Sequence, residues 1–317
     1  MRQTINHHSV SVSAPGSIMF CGEHAVVYGY PAIVCAIEQR ITVSLTFRDD
    51  QQIVINSHLA NYQSTLTRLT SHPKLRFVLA AIAQADLSDG VEINITSNIN
   101  PNLGLGSSAA VTAATLGALS YANRHSFSHK IIHQQALKII HQVQQHGSGA
   151  DLAASIYGGT IAYQLNPITI EPLNTTLPCH IGLQYCGYKT PTAEVLAIIA
   201  DKMTQDPEPY HQLYQQMGKL SRQIITAFKH HDFASIYTAL NQYQTLMAAL
   251  GVSDNTLNEL ISQAHRQPQT LASKISGSGL GDCIMTLSAL AQPLPEDHHP
   301  VQLASQGLRL EPPSLSA

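Results

Sequence analysis

Residues 101 to 110 read PNLGLGSSAA. The segment before them, Val91 to Thr96 (VEINIT), alternates apolar and polar residues and is expected to be a strand. The segment after them, Val111 to Tyr121, is Ala-rich and interrupted only by Gly117, so it is expected to be a helix. A glycine-rich turn that enters a helix exposes unpaired backbone N–H groups at the positive end of the helix dipole, where an anion is stabilised. Ser107 and Ser108 add hydroxyl donors and a candidate oxygen ligand for Mg2+. The same pattern also suits a tight strand-to-helix turn whose glycines merely supply positive φ. Both readings stand on local grounds.

The commoner phosphate-binding motifs are absent. No GxxxxGK[ST] occurs, and GxGxxG with a distant acid is not matched. The chain has 317 residues and 44% apolar composition, enough for one large or two moderate domains. Charged residues make up 12%, against about 25% in an average globular protein. A formal charge of −3 offers no basic footprint for nucleic acid. The 17 histidines are scattered, and no HExxH or Cys/His ligand spacing points to a structural metal. Five sparse cysteines, mostly within apolar runs, suggest reduced, buried thiols and a cytoplasmic setting. The first residues lack the apolar core of a signal peptide, and no apolar run reaches 18 residues, so no membrane association is expected.

Residues 32 to 47 are rich in β-branched side chains and read as one long or two consecutive strands. Gln51 to Ser57 is a further expected strand, and Pro73 to Ala85 a helix with Leu75, Val78, Leu79 and Ile82 on one face. A helix follows over Lys130 to Gln145, a short one over Asp151 to Tyr157, and a strand over Thr160 to Gln164. Asn166 to Pro178 has no clear period, which places a boundary between units 1–165 and 166–317. The second unit opens on a strand, Ile181 to Cys186, followed by helices over Thr192–Thr204, Glu208–His230, Asp232–Leu250 and Asp254–His265. The Pro-containing tail after Leu290 reads as loop with a last strand at Leu308 to Glu311. Strands and helices segregated within each half indicate an α+β fold.

Two distant segments add to the opening motif: Ala14 to Tyr30, APGSIMFCGEHAVVYGY, and Lys274 to Cys283, KISGSGLGDC. In order and spacing the three resemble the motifs of the GHMP kinase superfamily. GEHAVVYG followed by PAIVCAI is most similar to the mevalonate kinases, and the likeness runs from about residue 12 to about residue 290. The resemblance implies a two-domain kinase fold that uses ATP and Mg2+. The expected reaction is phosphorylation of a small hydroxylated acid, mevalonate at its primary hydroxyl. Phosphomevalonate kinase is the runner-up, and a catalytically weak nucleotide-binding protein on the same fold is the rival of another class. The expected partner is a small molecule, with a homodimer left open.

Carried over residue by residue, the resemblance lays Pro101, Asn102, Gly104, Leu105, Gly106, Ser107, Ser108 and Ala109 along the triphosphate, with Ser107 or Ser108 on the metal. Asp151, in GSGADLAASIYGG, matches the catalytic aspartate that orients or accepts the acceptor's proton; locally it is equally a helix-start carboxylate. Glu23, His24, Thr192, Gly277, Ser278 and Gly279 fall at the substrate end, although Thr192 also reads as a helix N-cap. Two departures stand out. Mevalonate kinases usually carry Lys after APG, where this chain has Ser17. They also carry a metal-binding Glu eleven residues before the aspartate, where this chain has Ile140. Lys189 or Arg40 could stand in for the missing cation. Asp282 replaces a residue that is usually small, and is expected to face solvent.

Overall fold

A computed structural model describes residues 9–145 and 147–312. The opening residues, read above for a leader, lie outside the described residues. The chain runs β1 (Val10–Cys21), a short 3-10 turn (Ala25–Tyr28), β2 (Ala32–Arg48), β3 (Gln52–Ser57), β4 (Asn61–Thr65), α1 (Arg76–Gln84), β5 (Gly90–Ser97), α2 (Ser107–Arg124), α3 (His129–Gln144), α4 (Ala150–Tyr157), β6 (Thr160–Gln164) and β7 (Thr169–Pro172). It continues through β8 (Cys179–Tyr185), α5 (Thr192–Gln205), α6 (Pro207–His230), α7 (Phe233–Leu250), α8 (Asn255–Arg266), β9 (Thr270–Ser276), β10 (Cys283–Ala289), β11 (His299–Val301) and β12 (Arg309–Leu310).

The larger sheet runs β12-β1-β2-β5-β3-β4, with β6 also paired to β2 and β7 to β6. The 17-residue β2 is one strand serving two neighbours: Ala32 to Cys35 pair with β6, and Ile41 to Arg48 pair with β5. Its first six residues are all buried, and burial then alternates from Ile41 onward, as expected of a strand covered first on both faces and then on one. α2 lies on β1. Its buried Ala109, Ala110, Ala113 and Ala114 permit close approach. Gly117 suits the close approach in mid-helix, since a Cβ there would stand 3.0 Å from Val12 and 3.1 Å from Leu308 and those side chains would have to shift. The gain in packing outweighs the roughly 1 kcal/mol by which glycine weakens a helix interior.

The smaller sheet runs β11-β8-β10-β9 and is backed by α7 and α8. α6 and α7 pack against each other, with Phe228 edge-on to Phe20 of β1 at 5.5 Å, which ties the two halves together. The helices read from sequence are present, while β1, β4, β9, β10 and β11 are strands that the reading left unassigned. β7 also lies inside the segment taken as a linker. The far end of the chain does not stay with the smaller sheet. After β11 the chain returns to the first sheet: Glu38 N–H donates to Gln302 O (2.9 Å), and β12 pairs with β1 in the register Val12–Leu310. The returning strand covers an edge of β1 that would otherwise expose unpaired N–H and C=O groups.

Candidate active site

The glycine-rich loop lies directly on β1. Ser17 N–H donates to Leu105 O at 3.1 Å. A Cβ on Gly16 would stand 2.6 Å from that same carbonyl, so glycine is required for the contact. Gly106, at φ 63°, is the N-cap of α2. A Cβ there would stand 2.0 Å from Ser17 Oγ, so the position is closed to any larger residue on both conformational and steric grounds. Ser107 and Ser108 are the first two helical residues, the first exposed and the second half-buried. Leu105 and Ala109 point into the core and offer only backbone to a ligand, while Pro101 and Asn102 are exposed on the approach.

Ser17 is fully buried, and its hydroxyl donates to Asp151 Oδ1 at 2.7 Å. Asp151 sits in the first turn of α4, whose N-cap Gly149 has φ 80°. The turn is pinned by Tyr163 Oη donating to Ser148 O (2.6 Å). One serine therefore touches the starts of two helices, and the phosphate-type loop and the candidate base come together on it. Burial pushes the Asp151 carboxyl above its ordinary value, and the Ser17 hydrogen bond opposes that rise.

The segment after β1 forms a second cluster. His24, at φ 58°, shares a 2.7 Å hydrogen bond between Nε2 and Ser278 O. A carbonyl only accepts, so Nε2 carries the proton; the bare Nδ1 is buried without a partner. Burial lowers the His24 pKa and keeps the ring neutral. Ser278 Oγ–H in turn donates to Thr192 Oγ1 at 3.5 Å. Thr192 is the first residue of α5 and not its cap, since Pro191 holds that position.

Glu23 is 3% exposed and meets the fully buried Lys274: Nζ stands 2.5 Å from Oε1. The ammonium also donates to Ile275 O and lies 5.8 Å from the centre of the Tyr243 ring, whose hydroxyl donates to Glu23 O at 3.0 Å. Glu23 and His24 thus brace the 277–279 loop, and Thr192 and Ser278 carry the accessible surface. Lys274 was quoted in the third motif without a role. Its burial follows from its place in β9, which the sequence leaves unassigned, and a lysine is rarely buried without a partner.

Asp282 does not face solvent as expected. It is 7% exposed at φ 65°, with Lys189 Nζ 3.0 Å from its Oδ1. Its carboxylate atoms stand 3.4 Å from where a Cβ on Gly104 would be, beside the glycine-rich loop. Cys283 Sγ lies 3.7 Å from Leu103 O, so the third motif is laid across the first. Arg40 is elsewhere, its guanidinium bound to Ser13, Gln306 O and Gly307 O. Ile140 is core, and His141 bonds to Gly147 O at 2.9 Å. Among the described residues no group of three or more His, Cys, Asp or Glu could hold a metal ion by itself.

Residues 74–159 match the family model "GHMP kinases N terminal domain" and residues 224–308 match "GHMP kinases C terminal". Residues 2–47 match the "Galactokinase galactose-binding signature". A mevalonate kinase of Pyrococcus abyssi is 32% identical over 300 residues, 88% of each chain. The chain belongs to the GHMP kinase family. Among solved structures, this GHMP kinase is similar to the Lin0012 protein of Listeria innocua, with TM-score 0.82 and 22% identity, covering 96% of this chain and 99% of that one. It also shares its fold with the mevalonate kinase of L. major in complex with R-mevalonate, with TM-score 0.75, 22% identity and coverage of 91% and 90%. As a GHMP kinase it is a small-molecule phosphotransferase that uses ATP. No helix among its described residues is long and apolar enough to cross a membrane.

Proposed function

We propose that this GHMP kinase transfers the γ-phosphoryl group of ATP to the primary hydroxyl of mevalonate. The observation that carries the chemistry is the Ser17–Asp151 hydrogen bond at the junction of the two helix starts. The Gly104–Ser108 segment binds the phosphates through backbone N–H groups, and the Asp151 carboxylate takes the proton of the acceptor hydroxyl. The acceptor oxygen bonds to the γ-phosphorus as the bond from that phosphorus to the β–γ bridging oxygen breaks, and ADP leaves. Burial suits Asp151 to this role, because a carboxylate with a raised pKa is a stronger base. The two hydroxyls at the start of α2, Ser107 and Ser108, together with the buried Asp282 carboxylate beside Gly104, are oxygen donors of the kind Mg2+ accepts. Bound with the nucleotide, Mg2+ would neutralise phosphate charge. Ser278 and Thr192 line the acceptor end, with Gly277 open beside them, Gly279 packed against Val252, and His24 and Glu23 bracing the loop from behind. Five unpaired cysteines, four of them buried, support a cytoplasmic enzyme.

Initial rates with mevalonate, phosphomevalonate, homoserine and galactose test the substrate. Mevalonate is expected to exceed the others in kcat/KM by about 10²-fold or more. A preference for phosphomevalonate, or ATP binding without turnover, would replace this reading with one of its rivals.

Ser17 has its own test. Ser17→Ala removes the hydrogen bond that lowers the Asp151 pKa. The acid limb of the kcat profile should therefore move to higher pH, since more of the base is protonated at a given pH. An unmoved limb would separate Ser17 from the titration of the base. Ser17→Lys, which would restore the residue usual in the family, is a poorer probe, because Ser17 is sealed beneath Gly106 and the loop would have to shift.

A further inference from the structure

The place where related kinases carry a metal-binding glutamate is occupied by core Ile140, and the Arg40 guanidinium is engaged by Ser13, Gln306 O and Gly307 O. One carboxylate nevertheless lies against the phosphate-type turn. Asp282 is more than nine-tenths buried, and its Oδ1 accepts no hydrogen bond although Lys189 Nζ is 3.0 Å away. The pair lacks an aligned hydrogen bond, and Lys189 is an exposed surface side chain. Asp282 also holds a left-handed backbone conformation at φ 65°, flanked by Gly281 at φ 136°. Glycine would occupy that position without steric cost, whereas aspartate only tolerates it. Its backbone is fixed from both sides, with its N–H donating to Tyr188 O and its C=O accepting from Cys186 N–H, both at 2.9 Å. The backbone so fixed places the carboxylate beside Gly104.

A buried anion there opposes the purpose of the loop. The N-terminal turn of α2 is built to attract negative charge, and a carboxylate next to it repels a triphosphate. A cation between the two reverses the sign of the interaction. Mg2+ characteristically binds through one or two carboxylates together with nucleotide phosphates, and needs no cage of protein ligands. We propose that Asp282 is the carboxylate that binds the divalent cation of the metal–nucleotide complex, and that Lys189 is the counter-ion it exchanges for that cation. The assignment rests on the reading of this chain as an ATP-using kinase, but it is independent of which acceptor is phosphorylated.

The test therefore uses nucleotide alone. Affinity for a non-hydrolysable ATP analogue is measured by calorimetry with and without Mn2+, and bound Mn2+ is counted by EPR. The unsubstituted protein should bind the analogue at least tenfold more tightly with Mn2+. Asp282→Gly, which suits the backbone and is expected to fold, should lose most of that advantage while metal-free binding stays equal or tightens. Asp282→Asn should behave alike, and Lys189→Met should keep the advantage. The proposal is overturned if the Mn2+ advantage survives in Asp282→Gly within threefold, which would include the case of a carboxylate that merely obstructs the loop and whose removal tightens both forms. It is overturned equally if both forms weaken together, as a structural role would require, or if Lys189→Met abolishes the advantage. Failure of the kinase reading itself looks different: the unsubstituted protein would then bind no nucleotide.

Discussion

Asp151→Asn is expected to lower kcat by about 10²-fold or more, the scale of general-base catalysis, with little change in the KM for ATP. The asparagine keeps the shape of the side chain and can still accept from the Ser17 hydroxyl 2.7 Å away, so the loss isolates the proton acceptor from the packing. A second readout distinguishes this from damage to the fold. Burial raises the Asp151 pKa, so the folded protein favours its protonated form. The associated stability is fully present below the unfolded-state pKa and is lost as pH rises through the folded-state pKa. At pH 8 the carboxylate is therefore a half-buried charge that works against folding, and Asp151→Asn should melt higher than the unsubstituted protein. A variant that is slow and also melts lower would indicate a structural aspartate. Activity within threefold of the unsubstituted enzyme would remove Asp151 from the mechanism.

Lys274→Met should produce the largest loss of stability of any single change considered. It leaves the Glu23 carboxylate buried opposite an apolar side chain, and breaking a buried pair in this way costs about 3–5 kcal/mol. For a chain of this size that corresponds to a fall in Tm of roughly 10 °C. The pH dependence identifies the cause. Burial raises the Glu23 pKa, and Lys274 is the main influence opposing the rise. Without the lysine the folded protein binds a proton at Glu23 more readily, so the deficit should shrink as pH falls towards 5. The double variant Glu23→Gln with Lys274→Met should recover part of the stability, because the stranded charge is gone. Urea unfolding of the three proteins at two pH values decides the matter. A single-variant loss below about 1 kcal/mol would mean that the pair contributes little more than a surface ion pair.

Much of the site is legible in the sequence because its requirements are local. Positive φ at Gly104 and Gly106 and a run of alanines after two serines are properties of contiguous residues, and they locate a strand, a tight turn and a helix without any knowledge of neighbours. The long helices α6 and α7 are equally readable, since 24 and 18 residues repeat an apolar face often enough to define a period. Strands β9 and β10 escape the same reading because buried polar residues, Lys274, Ser273, Thr286 and Ser288, break their apolar character. β11 is three residues long, too short for any period, and its strand character is conferred by the edge it covers, whereas the strand expected at Leu308 to Glu311 is present as β12.

What depends on distance through space lies beyond the reach of the sequence. That Ser17 donates to Asp151 joins residues 134 apart in the chain, and that Lys274 neutralises Glu23 joins residues 251 apart. Asp282 shows the limit most clearly. A charged residue after a glycine-rich run is expected at a solvated turn, yet the crossing of the third motif over the first buries it against Gly104 with Lys189 to balance it. The sequence by itself determined the family, the phosphate-type loop, the helices and the identity of the candidate base, since each is written in adjacent residues or in ordered motifs. The tertiary structure alone decided which charges face one another, because Coulomb energy and desolvation depend on separation and burial, and neither quantity is a property of a segment.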